Sequence, residues 1–129
     1  MKDILIVGLG GCIGSIARYK LSGWLLELTA QSRWPLGTLG VNVLGCLVMG
    51  LLVGMAERHG AFSSQARIFL FTGLVGGFTT FSAFGLETVS LLRRGEAWIA
   101  AGYVTASVLL GMAAIGLGIQ IIYALPHRS

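Results

Sequence analysis

The segment TGLVGGFTTFSAF combines bare backbone, hydroxyl groups and aromatic rings inside an apolar stretch of the chain. Gly76 and Gly77 carry no side chain to support a helix, and Thr79 and Thr80 are β-branched, so helix propensity is low at this point. Unwound backbone at membrane depth presents carbonyl oxygens, which discontinuous helices use to coordinate cations. The other interpretation is a small-residue packing face whose threonine hydroxyls bond back to the preceding turn. The residues alone leave both open.

Three phenylalanines, Phe78, Phe81 and Phe84, recur at intervals of three in this segment. Residues three apart share one face of a helix, and the simplest role for such a face is lipid contact or core filling. The alternative uses the positive edge of the aromatic ring, which faces a small anion without burying a formal charge. In that case Ser82, between two of the rings, donates a hydroxyl hydrogen bond.

Other polar side chains interrupt the neighbouring apolar runs. Asn42 needs a partner, because an unsatisfied amide in an apolar environment is costly, and it either joins helices or donates to an anion. Thr38 lies one turn earlier on the same face. Glu87 is either an interfacial carboxylate or a group beside an ion path. Tyr103 and Ser107 give the last apolar run a polar stretch.

Composition indicates an integral membrane protein with a single domain, residues 1–129. Hydrophobic residues make up 55% of the chain and charged residues 11%, against about 25% charged in an ordinary soluble domain. The formal net charge of +4 comes from basic residues that lie singly or in pairs between apolar runs, which suits lipid headgroups and predicts no nucleic-acid partner. No nucleophile with its base, phosphate loop or metal cluster is present, so we do not expect an enzyme.

The apolar runs predict an all-α fold with four membrane-spanning helices, at about residues 4–28, 36–56, 67–92 and 97–125, since a bilayer core requires roughly 20 residues of helix. Arg18 lies close enough to the end of the first span for its side chain to reach the interface. The first span has no convincing cleavage site and is therefore predicted to be retained rather than removed as a signal peptide.

The basic residues indicate no preferred orientation in the membrane. With four spans, one side holds Lys2, Arg58, Arg67 and Arg128, and the other holds Arg18, Lys20, Arg33, Arg93 and Arg94. Four against five is no bias, so the positive-inside rule does not select a topology. A chain that inserts both ways can pair with its own inverted copy, and we therefore predict an antiparallel, dual-topology homodimer.

GTLGVN, followed about thirty residues later by GLVGGFTTFSAF and then Glu87, resembles the Fluc (CrcB-type) fluoride channels of microbes. The resemblance covers essentially the whole chain. It implies a third helix broken near its middle, and an antiparallel homodimer in the cell (inner or plasma) membrane. Two parallel pores would export cytoplasmic fluoride passively and so lower its toxicity.

The resemblance also implies roles for particular residues. It places the paired pore phenylalanines at Phe81 and Phe84 and the pore amide at Asn42. A central, structural Na⁺ would be held by the main-chain carbonyls of Gly76 and Thr79 from both subunits. Together with the hydroxyl and end residues, the predicted fluoride pathway comprises Arg18, Thr38, Asn42, Phe81, Ser82, Phe84, Glu87, Tyr103 and Ser107.

The fourth helix departs from the family pattern. Family members commonly continue a polar track beyond Tyr103 and Ser107 with hydroxyl residues, whereas this chain has Gly111 and Ile115 at those positions. The track is therefore either shorter here or completed by water or backbone.

Two other classes of protein compete with a fluoride channel. A small multidrug-type, proton-coupled exporter is also a four-span, dual-topology dimer, but it requires a carboxylate midway along the first helix. The first span offers only Glu27, near its end. A structural or accessory subunit would use the polar residues only to join helices.

Overall fold

Helices form almost all of residues 1–126, the part of the chain that the computed structural model describes. They are α1 (Lys2–Leu28), α2 (Leu36–His59), α3 (Ser64–Arg67), a π-helix (Ile68–Val75), α4 (Gly76–Phe78), α5 (Phe81–Arg93) and α6 (Ala97–Ala124). No strand occurs within residues 1–126. Arg128, which entered the charge balance above, lies outside the described residues.

Four helical stretches are long and apolar enough to cross a membrane, as predicted. They are Lys2–Leu28, Leu36–His59, Ser64–Arg93 and Ala97–Ala124. The second helix continues past its apolar run and ends at Gly60, which has a φ of +59°. Glycine adopts this left-handed conformation without steric cost, and it commonly terminates helices for that reason.

Glycines bring α1 into backbone contact with the third span. A methyl group on Gly10 would lie 2.7 Å from the Phe69 carbonyl oxygen, and one on Gly77 would lie 2.7 Å from the Gly11 carbonyl oxygen. Real side chains essentially never approach that closely. Gly10 and Gly14 in α1, and Gly73 and Gly77 in the third span, are each four residues apart, and this G-x-x-x-G spacing serves close helix packing.

Glycines also allow α2 and α6 to pack closely. A methyl group on Gly118 would lie 2.6 Å from the Leu47 carbonyl oxygen, and Gly54 packs against the side chain of Ile122. Through these contacts α1 packs against the third span, and α2 packs against α6. Together they fix the positions of the polar residues between the helices.

The outer surface of the subunit is apolar. Leu9, Leu109 and Met112 are 63%, 62% and 70% exposed, whereas the buried core is limited to a few small clusters such as Leu91, Ala100 and Tyr103. An exposed apolar surface of this extent suits contact with lipid or with another helix, and not with water.

Replacing Gly14 by alanine tests the close packing of α1. The added methyl group would lie 2.8 Å from the Phe78 nitrogen and 3.1 Å from the Gly77 carbonyl carbon, so the helices must separate. We expect Gly14→Ala to lower the free energy of unfolding in detergent by about 1 to 3 kcal/mol.

The matched control is Gly116→Ala in α6, where an added methyl group meets nothing within 4 Å in the subunit. It should leave the free energy of unfolding unchanged or slightly higher, because alanine has the better helix propensity. Equal losses in the two variants would contradict the packing role of Gly14.

Candidate functional site

The third span changes backbone conformation between α4 and α5. Thr79 has φ −83° and ψ 158°, and Thr80 has φ −147° and ψ 114°, so both residues are extended. The Thr80 hydroxyl accepts a hydrogen bond from the Ala83 amide at 3.2 Å and thereby caps the start of α5. Upstream, the Gly76 amide donates to the Phe71 carbonyl, a wide π-helical turn of a kind often found at functional sites. The poor helix formers GGFTT thus coincide with a local departure from the α-helix.

Asn42 of α2 satisfies the backbone at this position. Its amide nitrogen donates to the Thr80 carbonyl at 3.0 Å, and its amide oxygen accepts from the Thr80 nitrogen at 2.8 Å. One side chain therefore pairs with both polar groups of the Thr80 backbone and takes the place of the helical acceptor of the Thr80 nitrogen. An amide nitrogen carries two hydrogens, so one donor of Asn42 is left for another acceptor. Joining helices and donating to an anion, the two roles considered for Asn42, are compatible in this geometry.

The extended residues also free two carbonyl oxygens. The Thr80 nitrogen donates to Asn42 rather than to the Gly76 carbonyl four residues earlier. In the same way, the Ala83 nitrogen donates to the Thr80 hydroxyl rather than to the Thr79 carbonyl. Gly76 and Thr79 thus lose their helical donors. Uncommitted carbonyl oxygens are suitable ligands for a hard cation, so the chemistry of these two residues fits the expected Na⁺ site.

The Gly77 carbonyl, which lies between those of Gly76 and Thr79 in the sequence, accepts hydrogen bonds from two side chains of α1. The Arg18 Nε donates to it at 3.2 Å, and the Ser15 hydroxyl donates at 3.4 Å. Arg18 also lines a cavity of about 300 Å³ together with Thr38 and Thr80. Two of the predicted pathway residues, Arg18 of α1 and Thr38 of α2, therefore line the same cavity.

An aromatic row follows the interruption. The ring centroids of Phe81 and Phe84 are 5.5 Å apart, and those of Phe84 and Tyr103 are 5.3 Å apart. The row runs from the surface to the interior, because Phe81 is 83% exposed and Tyr103 is fully buried. Phe78 does not continue it. That side chain precedes the extended residues and lines an apolar cavity with Leu44 instead.

Glu87 lies at the inner end of this row and receives two hydroxyl hydrogen bonds. The Thr38 hydroxyl donates to its Oε1 at 2.6 Å, and the Tyr103 hydroxyl donates to its Oε2 at 2.7 Å. Charge-assisted bonds of this type are short and strong. The sequence singled out all three residues but did not predict that they contact one another. The available signal was that a carboxylate near an apolar span requires polar partners.

The remaining predicted hydroxyls differ in their surroundings. Ser82 is exposed, and its oxygen lies 3.3 Å from the Thr80 hydroxyl. The Ser107 hydroxyl is buried, and it has no hydrogen-bond partner within residues 1–126. Beyond Ser107, a methyl group on Gly111 would lie 3.4 Å from the Cys46 sulfur, so this face of α6 packs against α2.

The four apolar helices and the polar groups between them define a multi-pass membrane protein. The chain belongs to the CrcB-like family: the family described as "CrcB-like protein, Camphor Resistance (CrcB)" matches residues 5–119. Relatives named "Fluoride-specific ion channel FluC" occur in Methylobacillus flagellatus, with 51% identity over 122 residues, and in Rhizobium etli, with 46% over 125 residues. These alignments cover 95% of both chains in the first case, and 97% of this chain and 99% of the relative in the second. The family is one of ion channels and not of enzymes.

Truncating Asn42 tests how strongly the interruption depends on one side chain. Asn42→Ala removes both hydrogen bonds and leaves the Thr80 nitrogen unpaired, whereas the Thr80 carbonyl, as the N-cap of α5, keeps its place at the start of the helix. An orphaned buried group costs about 1 to 3 kcal/mol, so we expect the free energy of unfolding in detergent to fall by about that amount.

Asn42→Asp is the matched comparison, because it keeps an oxygen for the Thr80 nitrogen and loses only the donor. We expect a stability between those of the original protein and Asn42→Ala at neutral pH. If the alanine variant were as stable as the original, Asn42 would not be what satisfies the backbone.

Proposed function

We propose that this protein is a fluoride channel of the cell (inner or plasma) membrane, through which cytoplasmic fluoride leaves passively. The observation that carries the proposal is the aromatic row beside the donors of Asn42 and Ser82. It supplies positive ring edges and N–H and O–H groups with no fixed positive charge among them. The names of the FluC relatives support fluoride as the ion.

Such a path suits an anion that holds its water strongly. Hydrogen-bond donors and ring edges take the place of hydration water, and no full positive charge holds the anion in place. Conduction requires entry to be favourable and release to be easy. The hydroxyls of Thr38 and Tyr103 already donate to Glu87, so an arriving anion competes with a carboxylate for them. That competition keeps binding weak at this end of the path.

The path is open on one side in a single subunit, and this supports a homodimer. Phe81 is 83% exposed, and Ser82 is exposed beside it. Polar groups at membrane depth require protein or water around them and not lipid. A second copy in the opposite orientation would cover both residues, consistent with the balanced basic residues. By symmetry, an antiparallel homodimer has two equivalent pores, one for each aromatic row.

The freed carbonyls support a structural Na⁺ at the dimer centre. The Gly76 and Thr79 oxygens would hold it, and the ion would supply positive charge that stabilises the non-helical backbone there. The third span would then act as a broken helix in both subunits.

A small multidrug-type, proton-coupled exporter is the alternative function, and nothing in the comparisons supports it. Its coupling carboxylate should lie inside the first span. Glu27 is exposed at the penultimate position of α1, so it is poorly placed for that role.

Ion flux from liposomes tests the function directly. We expect purified protein to release trapped fluoride without a proton gradient and to release little chloride. Phe81→Ile and Phe84→Ile should each reduce fluoride flux by roughly tenfold or more, because losing about 1.4 kcal/mol of anion stabilisation corresponds to that factor.

Phe71→Ile is the matched control, since Phe71 lies in the π-helix before the interruption and pairs with Phe62. It should retain most of the flux. Vesicles that hold fluoride, or that release chloride equally fast, would contradict the proposal. A proton-dependent flux would favour the exporter.

Sodium dependence tests the freed carbonyls. We expect Na⁺ to raise the melting temperature of purified protein, whereas N-methylglucamine at equal ionic strength should not. A ligand at 100 times its dissociation constant stabilises the folded state by about 2.7 kcal/mol. Identical melting curves in the two salts would argue against a cation site at Gly76 and Thr79.

A further inference from the structure

A second cavity, separate from the one that Arg18 lines, has Glu87 in its lining. It is a groove of about 320 Å³ at the end of the subunit where α5 ends and α6 begins. Arg33 and Arg94 line it, and Ser90 and Glu87 add further polar groups. Arg33 and Arg94 entered the charge balance of the two membrane faces, but neither belongs to the predicted fluoride pathway.

The two arginines come from separate connections and share one carboxylate. Arg33 lies between α1 and α2, and Arg94 directly follows α5. Glu96, just before α6, forms ion pairs with both: its Oε1 lies 3.2 Å from Arg33 Nη2 and 3.8 Å from Arg94 Nε. Two guanidinium groups against the Glu96 carboxylate leave one positive charge to offset the Glu87 carboxylate, which also lines the groove.

The two arginine side chains and Glu96 differ in how far they are exposed. Arg33 and Arg94 are 69% and 61% exposed, whereas Glu96 is 18% exposed. The second carboxylate oxygen of Glu96 is buried without a hydrogen-bond partner in the described part of the chain. The mostly buried Glu96 carboxylate therefore holds the two arginine side chains in position, and their guanidinium groups remain exposed.

The groove leads to the proposed fluoride path, here called the polar path, which runs from Glu87 through Tyr103 and Phe84 to Phe81. Glu87, which lines it, accepts from the Thr38 and Tyr103 hydroxyls, and the Tyr103 ring lies next to Phe84. An anion that moves toward Phe84 through this groove would meet the Glu87 carboxylate first. Repulsion at that point has to be offset by positive charge nearby.

We propose that Arg33 and Arg94, supported by Glu96, form an anion-collecting mouth that feeds the polar path at Glu87. The inference rests on the proposed function and extends it to the entry of the anion. Charged clefts raise the local concentration of oppositely charged ions and hence the rate of entry. Because the guanidinium groups are mostly exposed, solvent and salt screen them, and they attract fluoride without trapping it.

The test measures fluoride flux from liposomes at sub-saturating fluoride and two ionic strengths set by an impermeant salt. The screening length is about 10 Å at 0.1 M and about 3 Å at 1 M. We expect Arg33→Gln and Arg94→Gln to reduce flux by about twofold to threefold at 0.1 M and to have little effect at 1 M. Arg94→Lys keeps the charge and should retain the flux of the original protein.

Arg93→Gln is the matched control, because it removes the same charge one residue away from Arg94 and outside the groove lining. It should change flux much less at 0.1 M. An equal loss of fluoride flux in Arg93→Gln would show a general effect of charge and would contradict the proposed role of Arg33 and Arg94. A loss that persists at 1 M, or no loss in either groove variant, would also overturn it.

The outcomes separate this inference from the proposed function. If the original protein passes no fluoride, the proposed function is wrong. If it passes fluoride and the groove variants behave like the control, only the mouth is wrong. A role of these arginines in binding lipid phosphate alone would leave flux through the reconstituted channel unchanged at both ionic strengths.

Discussion

The fold depends on a constraint of the bilayer: every backbone N–H and C=O at membrane depth needs a partner. The third span meets this constraint at its non-helical residues through Asn42, whose side chain pairs with both polar groups of the Thr80 backbone. Because Asn42 takes the Thr80 nitrogen, the Gly76 carbonyl is left without its helical donor. The same interaction therefore stabilises the interruption and creates its chemistry.

The sequence predicted the parts of this arrangement that depend on local composition. Apolar runs of sufficient length indicated four spanning helices, whereas the low helix propensity of GGFTT left two interpretations open, an unwound backbone and a small-residue packing face. The sequence could not predict which polar groups meet. Glu87 contacts residues 49 and 16 positions away, on two different helices, and only the packing of α2 and α6 against α5 brings them together. Phe78 shows the converse: its spacing suggested a shared face with Phe81, but the extended residues between them remove the helical periodicity on which that inference depended.

Charge is distributed along the polar path in a consistent order. The row from Phe81 to Tyr103 contains no charged side chain, whereas Arg18 and Glu87 each line a different cavity near it. Burying an unpaired charge at the centre of a bilayer is costly, while charges near aqueous cavities are screened. The row therefore carries neutral donors and ring edges, and the charged side chains near it lie beside cavities.

The interruption is held from both sides, which explains why glycines and polar residues occur together in this segment. Arg18 and Ser15 bind the Gly77 carbonyl from α1, while Asn42 binds Thr80 from α2. The approach of α1 is possible because Gly14 and Gly77 have no side chains. If α1 moved away by the width of a methyl group, the hydrogen bonds to Gly77 would lengthen past a useful distance. The close packing of small residues and the positions of the polar groups are therefore one structural feature, and a change in either alters the geometry of the path.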